Sequence, residues 1–129
     1  AFGAVGLIPD CAGHWLLPRA CGLNMAKELM MTQRAVKAPE MKELGLCNHV
    51  YPKEQLMDEA MKLAQKICTN AQKAIRASKL AIRRGIDCDI STAVSYEALA
   101  FATCFGTEDQ KEGMQAFLEK RKEKHFKNK

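Results

Sequence analysis

Few side chains in this chain have the type and setting to do chemistry, and they are scattered. Asp10 follows Pro9 and precedes a short apolar helix-like stretch, so its carboxylate can move a proton or cap that helix. The three histidines, His14, His49 and His125, lie far apart, and the six cysteines stand at 11, 21, 47, 68, 88 and 104. No two cysteines are spaced as a CxxC or finger-like pair, so no metal site is expected. They fall inside apolar patterns such as Ile67-Cys68 and Thr103-Cys104-Phe105. Buried reduced thiols in a cytosolic or organellar protein are therefore expected rather than a disulfide framework. His14 and Trp15 read as a helix-start polar group and a packed aromatic. Met25, Met30 and Met31 read as core, or at most as a flexible apolar lining.

Charge is the other chemical resource. The chain has 20 Lys plus Arg against 15 Asp plus Glu, a formal net charge of +5. Residues 119–129 hold six of the basic residues and only two acids, Glu119 and Glu123, so most of the excess sits at the C-terminus. One aromatic, Phe126, and two interspersed glutamates suit a solvated helix end, and neither nucleic acid nor a membrane surface is expected as a partner. With 47% hydrophobic and 27% charged residues over 129 positions, the composition is that of a folded domain. No apolar run approaches the roughly 20 residues that cross a bilayer.

The elements that must position these groups are helical. Leu23–Thr32 places Met25 or Ala26, Leu29 and Met30 on one face after Gly22, and Pro39 and Gly45 bracket a short helix over 38–44. Short β-like pieces are expected at 34–36 and 47–51. Four helices follow: 54–68 with Leu56, Ala60, Leu63, Ala64 and Ile67 as its apolar face; 71–84, stopped by Gly85; one capped by Asp89; and one opened by a Thr107/Gln110 capping box. Val94, Ala98, Phe101 and Phe105 form an i, i+4, i+7, i+11 stripe and Met114, Phe117 and Leu118 are the expected inner face of the last helix; in an oligomerisation module both faces would be buried against identical chains. The first 20 residues are apolar and broken by Gly and Pro, like the end of a larger core element. The N-terminus is therefore expected to be a cut through a longer protein.

Four stretches in order carry a resemblance. The run Val5-Gly6-Leu7-Ile8-Pro9-Asp10-Cys11-Ala12-Gly13-His14-Trp15-Leu16-Leu17-Pro18-Arg19, followed by Gly22, resembles the GLxPDxGG-type loop and LPR-ending helix of the enoyl-CoA hydratase/isomerase (crotonase) family. Residues 26–32 (AKELMMT), 43–52 (ELGLCNHVYP) and 107–121 (TEDQKEGMQAFLEKR) match further along in the same order. The resemblance implies a mainly α chain: the last turn of a crotonase-like ββα spiral over 1–52, then a helical, trimerising, CoA-contacting region over 53–129.

It implies more about chemistry. The family's oxyanion donors lie upstream of this chain, so the fragment alone is expected to be inactive. Hydratases carry a glutamate at the position of Phe2, which cannot transfer a proton, whereas Asp10 matches the catalytic carboxylate of isomerase-like and dehalogenase-like relatives. Asp10 is thus expected to shuttle a proton along an unsaturated acyl-CoA. Phe101 and Lys120 match residues that meet the adenine and phosphates of CoA, set against their plain readings as part of an apolar face and a solvated tail. The CoA thioester is substrate, and no other cofactor is implied. A homo-oligomer is the implied assembly, with a stand-alone oligomerisation module as the alternative function and the cytoplasm or an organellar matrix as the location.

Overall fold

The structure, a computed structural model, describes residues 2–129. Among them are a 3-10 turn at Phe2–Val5 and seven α-helices: α1 (Gly13–Cys21), α2 (Leu23–Thr32), α3 (Ala38–Glu43), α4 (Leu56–Cys68), α5 (Gln72–Gly85), α6 (Ile90–Phe105) and α7 (Glu108–Leu118). There is no strand among the described residues. The expected β-like pieces at 34–36 and 47–51 are irregular, because an extended segment is a strand only when a neighbour pairs with its N–H and C=O groups. The chain divides into two compact units, Ala1–Met57 and Asp58–Lys129.

In the first unit, α1 runs into α2 through Gly22 at φ 81°, a left-handed turn that costs glycine nothing. Ala26 and Leu29 on α2 are buried and Met25 and Met30 half-buried, so the expected inner face of α2 is the one observed. α3 ends as its sequence demands. The Gly45 N–H (φ 75°) donates to the Lys42 carbonyl at 3.1 Å and the Leu46 N–H to Met41 at 2.8 Å, the paired bonds of a Schellman cap. Arg34 joins the two helices. Its guanidinium donates to both oxygens of Glu40 (3.0 and 2.7 Å) and, through Nε, to Glu28 (3.1 Å). Those bonds hold the Glu40 carboxyl below its ordinary pKa.

The second unit corrects the expected packing. Val94, Phe101 and Phe105 are 53%, 66% and 53% exposed, so the large apolar stripe of α6 is left mostly open rather than covered by α5. Apart from Gln72 and Ile75 at the start of α5 and Thr92 in α6, the half-buried positions are small: Ala74, Ala77, Ala81 and Gly85 on α5, and Ala93, Ala100 and Cys104 on α6. A Cβ added at Gly85 would lie 3.5 Å from the Cβ of Ala93, so the two backbones approach closely along a seam of small side chains. Helices that touch through alanine leave their bulkier residues pointing elsewhere. α7 shows the same inversion, with Phe117 and Leu118 76% and 70% exposed. Its covered face is Asp109, Glu112, Gly113 and Ala116, spaced i, i+3, i+4, i+7.

The caps are mostly as expected. Asp89 accepts the Thr92 N–H at 3.0 Å and the Thr92 hydroxyl at 2.6 Å, which lower its carboxyl pKa. Thr107 Oγ1 accepts the Gln110 N–H at 3.1 Å. The reciprocal half of the capping box is not used, because the Thr107 N–H already donates to the Cys104 carbonyl.

Candidate functional site

Asp10 sits on a strained turn. The Gly13 N–H donates to its main-chain carbonyl at 2.9 Å, and the next two residues, Cys11 and Ala12, are both left-handed at φ 50° and 62°. A side chain there costs roughly 1–2 kcal/mol per residue. α1 begins at Gly13 with Ala12 as its N-cap and no side-chain cap bond. The capping role open to Asp10 in the sequence is therefore not the one it plays. Its side chain is exposed and lies outside the helix hydrogen-bonding scheme, a setting in which a carboxylate can accept and return a proton.

Beside this turn the first unit carries an open apolar pocket of about 400 Å³, lined by Phe2, Leu16, Leu17, Leu29, Met30 and Gln33 among others. Phe2 thus contributes hydrocarbon. Pro9 lines the same cavity, whereas Asp10 does not. His14 is exposed, and Trp15, 40% exposed, carries the Arg19 guanidinium 3.6 Å from its ring centroid, so its role is a cation–π partner more than a packed core aromatic.

In the second unit, Phe101 stands over the α5–α6 seam. It meets Phe105 edge-on at 5.2 Å between centroids and lines a cavity of about 260 Å³ with Ala77, Ala81, Glu97 and Cys104. A flat ring this exposed can pack against a planar ligand. Lys120 is on a different element, just past α7. It is left-handed (φ 55°), with its N–H donating to the Phe117 carbonyl at 3.2 Å and the Arg121 N–H to Ala116 at 2.9 Å. No hydrogen bond, ion pair or ring contact links Phe101 and Lys120 among the described residues.

The tail beyond Lys120 is solvent-exposed as expected but is not a helix end: it is irregular and tied down by hydrogen bonds. Arg121 donates to both oxygens of Glu112 (3.0 and 3.2 Å), and the same carboxylate accepts the His125 N–H at 3.0 Å. The Arg121 fork, followed by the His125 N–H, lowers the Glu112 pKa to about 2. Asp109, only 2% exposed, accepts the N–H groups of Lys127 (2.6 Å) and Asn128 (3.1 and 2.9 Å). Asn128 Oδ1 in turn accepts the Gln72 N–H at 3.1 Å, and the Phe126 ring lies against Gly113. Between the start of α5 and this strap is a cavity of about 650 Å³ lined by Asn70, Ile75, Lys122, Lys124, His125 and Phe126. Sequence reading missed Asp109, Glu112 and Arg121. Their signal was the i, i+3, i+4, i+7 spacing of Asp109, Glu112, Gly113 and Ala116, a helix face too polar to attract notice.

All six cysteines are free, and no group of three or more metal-ligating side chains occurs among the described residues. No helix of the described residues is long and apolar enough to cross a membrane.

Comparison with known proteins then places this geometry. A family profile described as enoyl-CoA hydratase/isomerase matches residues 1–129. A short-chain-enoyl-CoA hydratase of Clostridium acetobutylicum is 47% identical over 124 residues, 96% of this chain and 48% of that protein. Another, from Clostridioides difficile, is 42% identical over 113 residues, 88% of this chain and 73% of the relative. Among solved structures, an enoyl-CoA hydratase from Bacillus anthracis superposes on 98% of the chain with a TM-score of 0.93 at 38% identity, covering 49% of that protein. The chain thus spans about half the length of the Clostridium acetobutylicum and Bacillus anthracis proteins.

Proposed function

The chain belongs to the enoyl-CoA hydratase/isomerase family, and on that premise we propose that it supplies the proton-shuttling carboxylate and part of the CoA-binding surface of an acyl-CoA-processing enzyme. Asp10, as carboxylate, accepts a proton from one carbon of an unsaturated acyl thioester. The electron pair left behind is held as the thioester enolate, and the Asp10 acid then returns the proton to another carbon. Nothing is added or lost, so the double bond moves and the reaction is an isomerisation. The observation that carries this reading is the pairing of an uncommitted, exposed Asp10 with Phe2 at the place where hydratases carry a glutamate.

Phe101 and Lys120 take the other end of the substrate in this reading. The exposed ring packs against adenine, and the ammonium meets phosphate as a point charge. CoA enters as the thioester substrate, with no further cofactor. The apolar faces left open on α6 and α7 suit a homo-oligomer built on trimers, with residues 1–52 as the end of the spiral core and 53–129 as the assembling region. The chain alone is inactive, because the oxyanion donors lie outside it. The cytoplasm or an organellar matrix is the location that fits; two relatives, from Dictyostelium discoideum and mouse, carry mitochondrial in their names.

The test is Asp10→Asn in the intact protein whose gene carries this chain, assayed for double-bond migration in unsaturated acyl-CoA and for hydration. A loss of migration by about 10²-fold or more is expected. Full migration activity in the variant, or hydration that survives with no migration in the parent, overturns the assignment.

A further inference from the structure

Besides the tail, positive charge gathers on one helix. α5 carries five cations, Lys73, Arg76, Lys79, Arg83 and Arg84, and no acid, a charge equal to the +5 of the whole chain. Arg83 and Arg84 sit in the last turn, where a cation suits the negative end of a helix, but Arg76 and Lys79 lie mid-helix and gain nothing from it. Arg84 leans over the Tyr96 ring at 5.9 Å. Arg76, Lys79 and Arg83 stand i, i+3, i+7 and so share one side of the helix. It is the side turned away from α6, because the seam with α6 runs through Ala74, Ala77, Ala81 and Gly85. All three are exposed, and their side chains make no hydrogen bond, ion pair or ring contact among the described residues. Of the acids on neighbouring segments, Asp87 and Asp89 follow the C-terminal end of α5, Asp89 is taken up in capping α6, and Glu97 lines the cavity on the α6 side. Along one edge of the cation row, Ile82 and Ile86 are 71% and 62% exposed.

We propose that the outer face of α5 is a docking surface for an anionic lipid bilayer, with Arg76, Lys79 and Arg83 on the charged headgroups and Ile82 and Ile86 entering the headgroup layer. The argument is one of complementarity. A row of uncompensated cations bordered by exposed aliphatic side chains matches a surface that is negative outside and apolar beneath. A nucleic acid is the poorer fit, since this side of α5 has no aromatic ring to stack on a base. The contact is peripheral, because no helix of the described residues is long and apolar enough to cross a membrane. It departs from the expectation drawn from the tail, whose lysines lie on an irregular strap, whereas a helix holds its cations in a fixed row. The surface is separate from Asp10 and from the proposed CoA contacts.

The test is sedimentation of the intact protein with vesicles of phosphatidylcholine alone and of a two-to-one mixture of phosphatidylcholine and phosphatidylserine. Binding is expected to the mixed vesicles only, falling as salt rises above the physiological range. Arg76→Gln/Lys79→Gln/Arg83→Gln weakens it by roughly 10²-fold, at about fivefold per cation. Its acyl-CoA turnover without vesicles stays at the parent value, which shows that the variant is folded. Lys27→Gln/Lys37→Gln/Lys53→Gln, which removes the same charge from exposed positions in the first unit, keeps the binding. Equal binding to phosphatidylcholine alone, no loss in the α5 variant, or an equal loss in the first-unit variant overturns the proposal. Capture of single-stranded RNA in place of vesicles, with the same dependence on the three cations, assigns the face to a nucleic acid and overturns it too. If the triple α5 variant does not fold, Lys79→Gln and Arg83→Gln are read singly on the same criteria, at about fivefold each.

Discussion

Asp109→Ala should release the C-terminal strap, and the structure sets the size of the effect. Asp109 is the second residue of α7, is 2% exposed, and accepts the main-chain N–H groups of Lys127 and Asn128 through both oxygens. Alanine leaves two donors without an acceptor, each at a cost of about 1–3 kcal/mol where water cannot replace it, and it removes a negative charge from the positive end of a helix. Because the tail can swing outward and rehydrate those donors, the lower part of that range applies, and a loss of about 2–3 kcal/mol is expected. For a chain of this size that corresponds to a fall of about 10 °C in Tm. Hydrogen exchange is the sharper assay. Protection at the Lys127 and Asn128 amides should vanish, while amides in the middle of α5 and α6 keep theirs. Asp109→Asn, which retains one acceptor oxygen, should fall between the two. A variant within 0.5 kcal/mol of the parent whose Lys127 and Asn128 amides exchange unchanged would refute the strap as a stabilising element.

Two further outcomes follow from the same geometry, besides the one at Asp10. The Glu112 pKa is lowered from 4.5 to about 2, so the stability this group contributes is fully present above about pH 4.5 and is lost as pH falls toward 2. Acid titration followed by protection of the His125 amide should show the loss in that window, and Glu112→Gln should remove its pH dependence. Ala12→Gly should raise the unfolding temperature, gaining about 1 kcal/mol by relieving a left-handed alanine at φ 62°, and a decrease on thermal unfolding would contradict the strain argument.

What could be read from the chain and what could not divides along physical lines. Local signals were reliable because their causes are local. Gly22 and Gly45 supply positive φ, Pro39 opens α3, Asp89 and Thr107 cap their helices, and the resulting helix positions agree with those expected to within a residue or two. The four ordered motifs were enough for the family, since they span the chain from Val5 to Arg121. Periodicity failed on facing. A period of 3.6 shows which residues share a side of a helix, but not what that side meets.

Tertiary structure decided that. α5 and α6 meet through alanines because small side chains allow the closest backbone approach, which leaves Val94, Phe101 and Phe105 uncovered. The fate of the basic tail was likewise beyond the sequence, because its partners Asp109 and Glu112 lie 13 to 19 residues away from the amides of Lys127, Asn128 and His125 that they bind. The sequence by itself determined the helices, their ends and the family. Only the fold determined which faces are covered, that Asp10 caps nothing, and that the C-terminal tail is tied down through Arg121 and its main-chain N–H groups while its lysines stay exposed, since hydrogen bonds between distant residues exist only once the chain has brought them together.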